Sequence, residues 1–123
     1  MSQFRIDWLR SLQNGLTYLL EAAKPVFYND IAPEEIDKIW PTLNPIHSRK
    51  AFTTFPSFID AEIQSPKTWV FCENDVAITP EYQEYSIKNG EYKDVIRVPS
   101  GHSPFVKVPD RLVEIITEIA DRD

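Results

Sequence analysis

Two side chains suited to proton transfer each follow a short apolar run of this 123-residue chain. Asp75 follows the run at residues 67–72, and His102 follows the run at residues 95–98. A carboxylate that accepts a hydrogen bond from histidine fixes the tautomer of the ring and stabilises the imidazolium, which is the supporting half of a nucleophile–base–acid triad. The pair therefore predicts an acid–base site in which Asp75 orients His102.

The sequence offers no recognisable nucleophile motif beside this pair. The three glycines, Gly15, Gly90 and Gly101, stand alone, so the chain has neither a glycine-rich phosphate loop nor a G-x-S-x-G elbow. Residues 101–103 resemble the start of an elbow, but a proline and a phenylalanine follow where a small residue and a glycine are needed. Ser103 is therefore not expected to act as a nucleophile.

Residue types that bind metals or form disulfides are few. Cys72 is the only cysteine, and His47 and His102 are the only histidines. This set has no zinc-ligand spacing and allows no internal disulfide, so we expect no metal, no cofactor and a reducing, cytoplasmic location. We expect Cys72 to be a small buried hydrophobe and His47 to lie on a solvated helix face.

Composition predicts a globular protein and argues against two classes of partner. Apolar residues make up 42% of the chain and charged residues 26%, which is enough for a packed core. The 13 basic residues are scattered among 19 acidic ones, with a net charge of -6, so we expect no nucleic-acid groove. Charges interrupt the first apolar run and no later run could span a bilayer, so we expect no membrane association.

The first half of the chain, residues 1–65, has the apolar spacing and proline positions of a helical region. The predicted elements are a helix at residues 4–23, a loop at residues 26–30, a helix opening at Pro33 and a helix at residues 44–55. Phenylalanines spaced by three favour a core stripe over a ligand pocket. They are Phe52, Phe55 and Phe58.

The second half, residues 66–123, has the pattern of a β-α-β-α unit with parallel strands. The predicted order is a strand at residues 67–72, a helix at residues 79–89, a strand at residues 95–98, a loop at residues 100–108 and a helix from Pro109. The uncharged interior of the first run predicts a strand buried on both faces. The residues expected on the inner side of the last helix are Leu112, Val113, Ile115, Ile116 and Ile119.

Two segments of this half resemble a known family. Residues 69–83 are similar to the acid loop of α/β-hydrolases in the plant methylesterase and hydroxynitrile-lyase branch and their fungal relatives. Residues 98–105 resemble the histidine loop of that family, and residues 27–30 with their neighbours resemble its helical cap. The resemblance implies the C-terminal half of an α/β-hydrolase: a cap in residues 1–65 and part of the core in residues 66–123.

The same resemblance implies that Asp75 is the triad acid and His102 the catalytic histidine, acting on a small apolar ester or related carbonyl compound. Because the nucleophile is missing, we expect association with a nucleophile-bearing half or a homo-oligomer that covers the open edge of a small sheet. Two alternatives stay open at this point. One is a truncated homologue that binds a small molecule or does acid–base chemistry without hydrolysis, and the other is a fragment with no independent role.

Overall fold

The computed structural model describes residues 16–18, 21–44, 46–48, 50, 54–57, 59 and 62–122. In chain order, the strands and helices are β1 (Leu16–Tyr18), α1 (Lys24–Phe27), α2 (Pro33–Ile39), β2 (Ile46–Ser48), β3 (Thr68–Cys72), α3 (Pro80–Asn89), β4 (Asp94–Val98), α4 (Pro104–Lys107) and α5 (Pro109–Ala120). Short 3-10 turns at Glu21–Ala23 and Trp40–Thr42 precede α1 and follow α2. No helix in these described ranges is long and apolar enough to cross a membrane.

The second half forms the predicted parallel α/β unit. Strands β3 and β4, rich in β-branched and aromatic residues, pair in parallel with Thr68 opposite Asp94 and Cys72 opposite Val98. Cys72, Val98 and Ile115 of α5 are buried together and form the core. The fold is therefore a partial α/β arrangement, in which α3 connects the two paired parallel strands along the chain and α5 packs against them.

Helix α3 has the expected signals at both ends, although the role of its terminal glycine differs. Thr79 precedes the helix, and its Oγ1 accepts a hydrogen bond from the backbone N–H of Tyr82 at 3.4 Å. Gly90 ends the helix with extended backbone at φ -107°, so no left-handed conformation requires glycine here. Instead, a Cβ atom at Gly90 would overlap the ring of Tyr92, so a larger residue would have to displace that ring.

Several helix predictions for the first half are wrong. Residues 16–18, inside the predicted helix at 4–23, form β1; residues 46–48, inside the predicted helix at 44–55, form β2. The two strands pair antiparallel with Thr17 opposite His47, a long-range contact that local apolar spacing does not encode. His47 therefore lies in a strand and not on a helix face. The rest of the predicted first helix up to residue 20 lies outside the described residues.

Two further features of the first half differ from expectation. The predicted loop at residues 26–30 begins inside the single helical turn α1, which has a proline in its first turn. Phe55, predicted to belong to a core stripe, is 93% exposed, because no regular helix directs it inward. Phe52 and Phe58 lie outside the described residues. The helix opening at Pro33 is confirmed as α2.

In the second half, the errors concern burial more than element type. Phe71 and Cys72 are buried, but the first three residues of β3 are only half-buried. On α5, Val113 and Ile116 are 63% and 58% exposed, because each lies about 100° around the helix from the inward-facing Leu112 and Ile115. The predicted loop at residues 100–108 also contains the short helix α4.

Candidate active site

The loop that follows β3 holds the Asp75 carboxylate in a fixed orientation. The Asp75 side chain is buried, and its Oδ1 accepts hydrogen bonds from the backbone N–H groups of Ala77 at 2.8 Å and Ile78 at 3.0 Å. This local capping is typical of an aspartate in a turn. Because Oδ1 is occupied by the loop's own backbone, Oδ2 is left to interact with a side chain from another loop.

The loop that follows β4 brings His102 to that second oxygen. Nδ1 of His102 lies 3.0 Å from Oδ2 of Asp75, within hydrogen-bonding distance. The ring of Phe27 lies against the imidazole, with the ring centroids 5.1 Å apart. The His102 side chain is about one-third exposed, and no residue in the described part of the chain is hydrogen-bonded to Nε2. The predicted contact between Asp75 and His102 is confirmed, and their catalytic role stays a prediction.

Gln83 of α3 is a site residue that the sequence analysis missed. Its Oε1 accepts from the backbone N–H of Cys72 at 3.0 Å, and its Nε2 donates to the carbonyls of Cys72 at 2.9 Å and Ile78 at 2.8 Å. The buried amide thus joins both ends of the acid loop that contains Asp75. A glutamine four residues after a helix N-cap was the available signal, but sequence spacing alone does not indicate a side chain that replaces a strand partner.

The segment 27–30 contacts both loops from outside the parallel sheet. Nδ2 of Asn29 donates to the Asn74 carbonyl at 2.8 Å, next to the acid. Oδ2 of Asp30 accepts from the Gly101 N–H at 2.7 Å, next to the histidine. The sequence analysis placed this segment near a cap but assigned none of these contacts, because they join residues 45 and 71 positions apart.

The two serines beside His102 are buried and already hydrogen-bonded. Oγ of Ser103 donates to the carbonyl of Phe27 at 2.7 Å, and Oγ of Ser100 donates to the carbonyl of Gly101 at 3.1 Å. Neither side chain has appreciable exposure. A nucleophilic serine needs a free hydroxyl that faces the general base. The geometry therefore agrees with the expectation that Ser103 is not a nucleophile.

An open, mostly apolar groove of about 320 Å³ lies beside the pair. Asp75 and His102 line it together with residues of β3, the acid loop, α3 and α4. The main apolar lining residues are Trp69, Val70, Ile78, Tyr82 and Pro104. A groove with an apolar wall and one acid–histidine pair suits a small apolar compound with a single polar reacting group.

Cys72 lies at the floor of this groove as a buried free thiol. Burial raises the pKa of the Cys72 thiol, and the negative charges of Asp75 and Asp30 raise it further. A thiol with a raised pKa is a poor nucleophile at neutral pH. The expectation that Cys72 acts as a small buried hydrophobe is in keeping with this environment.

The structure is an α/β protein with an aspartate and a histidine in contact after the carboxyl ends of two parallel strands. Two curated relatives are similar to this chain in sequence. The probable hydrolase R7 from Phoma sp. is 31% identical over 84 residues, which cover 64% of this chain and 34% of the relative. The alpha/beta hydrolase nvfD from Aspergillus novofumigatus is 30% identical over 113 residues, which cover 88% of this chain and 44% of the relative. No protein-family model matches the chain.

These similarities relate the chain to the α/β hydrolases. The chain spans between a third and a half of the length of the two relatives, at 34% and 44%. Its placement in the plant methylesterase and hydroxynitrile-lyase branch, and its assignment as a C-terminal half, stay predictions.

Proposed function

We propose that this chain supplies the acid and the histidine of an α/β-hydrolase active site that cleaves a small apolar ester or a related carbonyl compound. The observation that carries the proposal is the 3.0 Å distance between Nδ1 of His102 and Oδ2 of Asp75 at the edge of an apolar groove. Asp75 holds the imidazole so that Nδ1 carries the proton and Nε2 is the basic atom. His102 is then the general base and Asp75 its orienting acid.

The proposed reaction needs a nucleophilic hydroxyl from outside residues 1–123. Nε2 of His102 takes the proton of that hydroxyl while its oxygen attacks the ester carbonyl carbon, and the protonated ring then gives the proton to the departing alcohol. A water molecule, deprotonated by the same nitrogen, hydrolyses the acyl intermediate. Donors for the oxyanion must also come from the nucleophile-bearing part.

The partner in this proposal is a nucleophile-bearing half, because the relatives extend well beyond the matched region, which covers only 34% and 44% of their lengths. The described parallel sheet has two strands, and the backbone of Cys72 faces away from β4, where the Gln83 amide replaces a strand partner. Exposed apolar side chains such as Val113 and Ile116 leave more surface for another polypeptide to cover. Sedimentation of the natural polypeptide or complex at micromolar concentration should give a species larger than residues 1–123 alone. A well-folded, cooperatively unfolding monomer of the chain alone would contradict this part of the proposal.

The test compares ester hydrolysis by the chain alone with hydrolysis by the natural polypeptide or complex that contains it. A p-nitrophenyl ester of a short fatty acid reports both the acyl-enzyme burst and steady-state turnover. We expect turnover only from the larger species, and we expect a fluorophosphonate probe to label a residue outside 1–123. Labelling of Ser103 in the chain alone would contradict the proposal.

A second candidate function is acid–base chemistry without a covalent intermediate, as in a lyase or isomerase. The observation that favours it is that both serines beside His102 are buried and hydrogen-bonded, whereas Nε2 has no partner among the described residues. Deuterium exchange into the α-carbon of a small apolar ketone, followed by NMR, separates the two functions. Exchange by the chain alone that disappears in His102→Gln would favour the second.

A further inference from the structure

The residue before His102 is held by a carboxylate from a distant part of the chain. The Gly101 N–H donates to Oδ2 of Asp30 at 2.7 Å, across 71 residues of sequence. Hydrogen bonds to a charged acceptor are stronger than those between neutral groups. The backbone that carries the imidazole is therefore held by a residue from outside strand β4 and the loop that follows it.

Close packing at Gly101 makes this contact specific. A Cβ atom at Gly101 would overlap Oδ1 of Asn29 and lie 2.8 Å from Oδ1 of Asp30, so a side chain at this position would displace these two side chains. Oδ1 of Asp30 is itself buried and has no hydrogen-bond partner among the described residues. Burial of an unpartnered carboxylate oxygen is costly, so Asp30 lies here at the expense of folding free energy.

Other contacts fix the same segment around the imidazole. Oγ of Ser103, on the other side of His102, donates to the Phe27 carbonyl at 2.7 Å, and the ring of Phe27 lies against the imidazole. Nζ of Lys107 donates to the main-chain carbonyl of Asp30 at 2.8 Å. Both sequence neighbours of His102 are thus tied to residues 27–30, and the carboxylate of Asp30 is the charged acceptor among these contacts.

We propose that Asp30 is a positioning residue for His102: through the Gly101 N–H it holds the imidazole in the orientation in which Nδ1 faces Asp75. The role rests on the proposed function, because it matters for catalysis only if His102 is the general base. It makes a separate structural claim, however, that can be measured without turnover. Loss of the Asp30 side-chain oxygen that accepts from Gly101 should loosen the ring and weaken its preference for the Nδ1–H tautomer.

The experiment is imidazole ¹⁵N NMR on the chain, with His47→Gln used to remove the signals of the other histidine. In Asp30→Ala we expect the ratio of Nδ1–H to Nε2–H tautomers of His102 to fall about five- to tenfold, as for the loss of one hydrogen bond. Asp30→Asn retains an oxygen that accepts from Gly101 and should preserve the ratio. Lys107→Met removes a contact to the Asp30 carbonyl without touching the carboxylate and should also preserve it.

A measurement on the unsubstituted chain keeps the test decisive if Asp30→Ala does not fold. The amide proton of Gly101 should be protected from solvent exchange, because it is hydrogen-bonded to Asp30. A Gly101 amide that exchanges freely would overturn the proposal, as would a folded Asp30→Ala chain with an unchanged tautomer ratio.

The outcomes also separate this role from the proposed hydrolase activity. If Asp30→Ala changes the tautomer ratio but the natural polypeptide or complex hydrolyses no ester, the positioning role stands and the proposed function fails. If the natural species hydrolyses esters and Asp30→Ala alters neither the tautomer ratio nor kcat, the positioning role alone fails.

Discussion

Nδ1 of His102 lies 3.0 Å from Oδ2 of Asp75, although 27 residues and a helix separate the two in the chain. The contact follows from the parallel pairing of β3 and β4, which brings the loops after both strands to the same edge of the sheet. The other carboxylate oxygen of Asp75, Oδ1, accepts hydrogen bonds from backbone N–H groups of its own loop. Asp75 is therefore built into its loop by one oxygen and directed at His102 by the other.

The two oxygens of Asp75 predict different effects for two substitutions. Asp75→Asn keeps an oxygen to accept from Ala77 and Ile78 but no longer accepts from Nδ1–H, so the fold should persist while kcat of the natural species falls about 10⁴-fold. Asp75→Ala also leaves the two buried N–H groups without an acceptor and should lower the free energy of unfolding by about 1–3 kcal/mol. Ester kinetics and denaturant unfolding measure the two effects. Equal kcat for Asp75→Asn and the unsubstituted protein would contradict the assignment.

Replacement of Gln83 by glutamate should make the stability of the fold depend on pH. Gln83→Glu keeps the shape but cannot donate to the carbonyls of Cys72 and Ile78 when ionised, and burial raises the pKa of a carboxyl group. The folded variant then binds a proton more tightly than the unfolded one, so its stability should rise as the pH falls from 7 to about 5. Gln83→Leu should be destabilised by about 2 kcal/mol or more at every pH. Denaturant unfolding across this pH range measures the free energy of unfolding of both variants. If that of Gln83→Glu did not change with pH, the amide of Gln83 would not bridge the loop.

Replacement of Ser103 by alanine should lower stability without changing ester chemistry. Ser103→Ala removes the hydrogen bond to the partly buried Phe27 carbonyl, and the loss of this donor should lower the free energy of unfolding by about 1 kcal/mol. It should not remove an acyl-enzyme burst, because the chain alone is expected to have none. Rapid-mixing kinetics with an activated ester make the measurement. A burst from the chain alone that Ser103→Ala abolishes would mean that Ser103 is the nucleophile.

Cys72 provides a chemical probe of the two nearby carboxylates. Because burial, Asp75 and Asp30 raise the pKa of its thiol, native Cys72 should react with iodoacetamide far more slowly than the denatured chain does. Asp75→Asn or Asp30→Asn should speed the reaction by lowering that pKa. The folded pKa lies above the unfolded one, so stability should fall once the pH exceeds the ordinary thiol value of about 8.5. If the unsubstituted chain, Asp75→Asn and Asp30→Asn all reacted with iodoacetamide at the same rate, the two carboxylates would not affect the pKa of Cys72.

The contact between Asp75 and His102 could be predicted from sequence because the sequence signals of the elements that position them are local. Two apolar runs, a threonine–proline helix start and a closing amphipathic helix identify a parallel unit, and parallel strands place their following loops together. The strand pair at residues 16–18 and 46–48 could not be predicted, since each strand has three residues and its partner lies far away in the chain. Apolar spacing there resembles that of a helix.

The supporting residues were missed for a related reason. Gln83 and Asp30 act through single side chains that reach backbone groups elsewhere in the chain. Both lie in segments that resemble the family, residues 69–83 and 27–30, but the resemblance assigned a role to neither. Exposure of Val113 and Ile116 was also missed, because all the apolar residues of α5 were placed on its inner side, although these two lie about 100° around the helix from the inward-facing ones. Side-chain contacts between distant segments need the three-dimensional arrangement.

The role of His102 as general base is tested by kcat/KM for a p-nitrophenyl ester, measured on the natural polypeptide or complex with His102→Gln and with His47→Gln. The two substitutions are chemically identical and affect the only two histidines of the chain. If His102 is the general base, His102→Gln should lower kcat/KM by about 10⁴-fold or more, whereas His47→Gln should leave it within about threefold. Retention of full ester hydrolysis by His102→Gln would contradict the account.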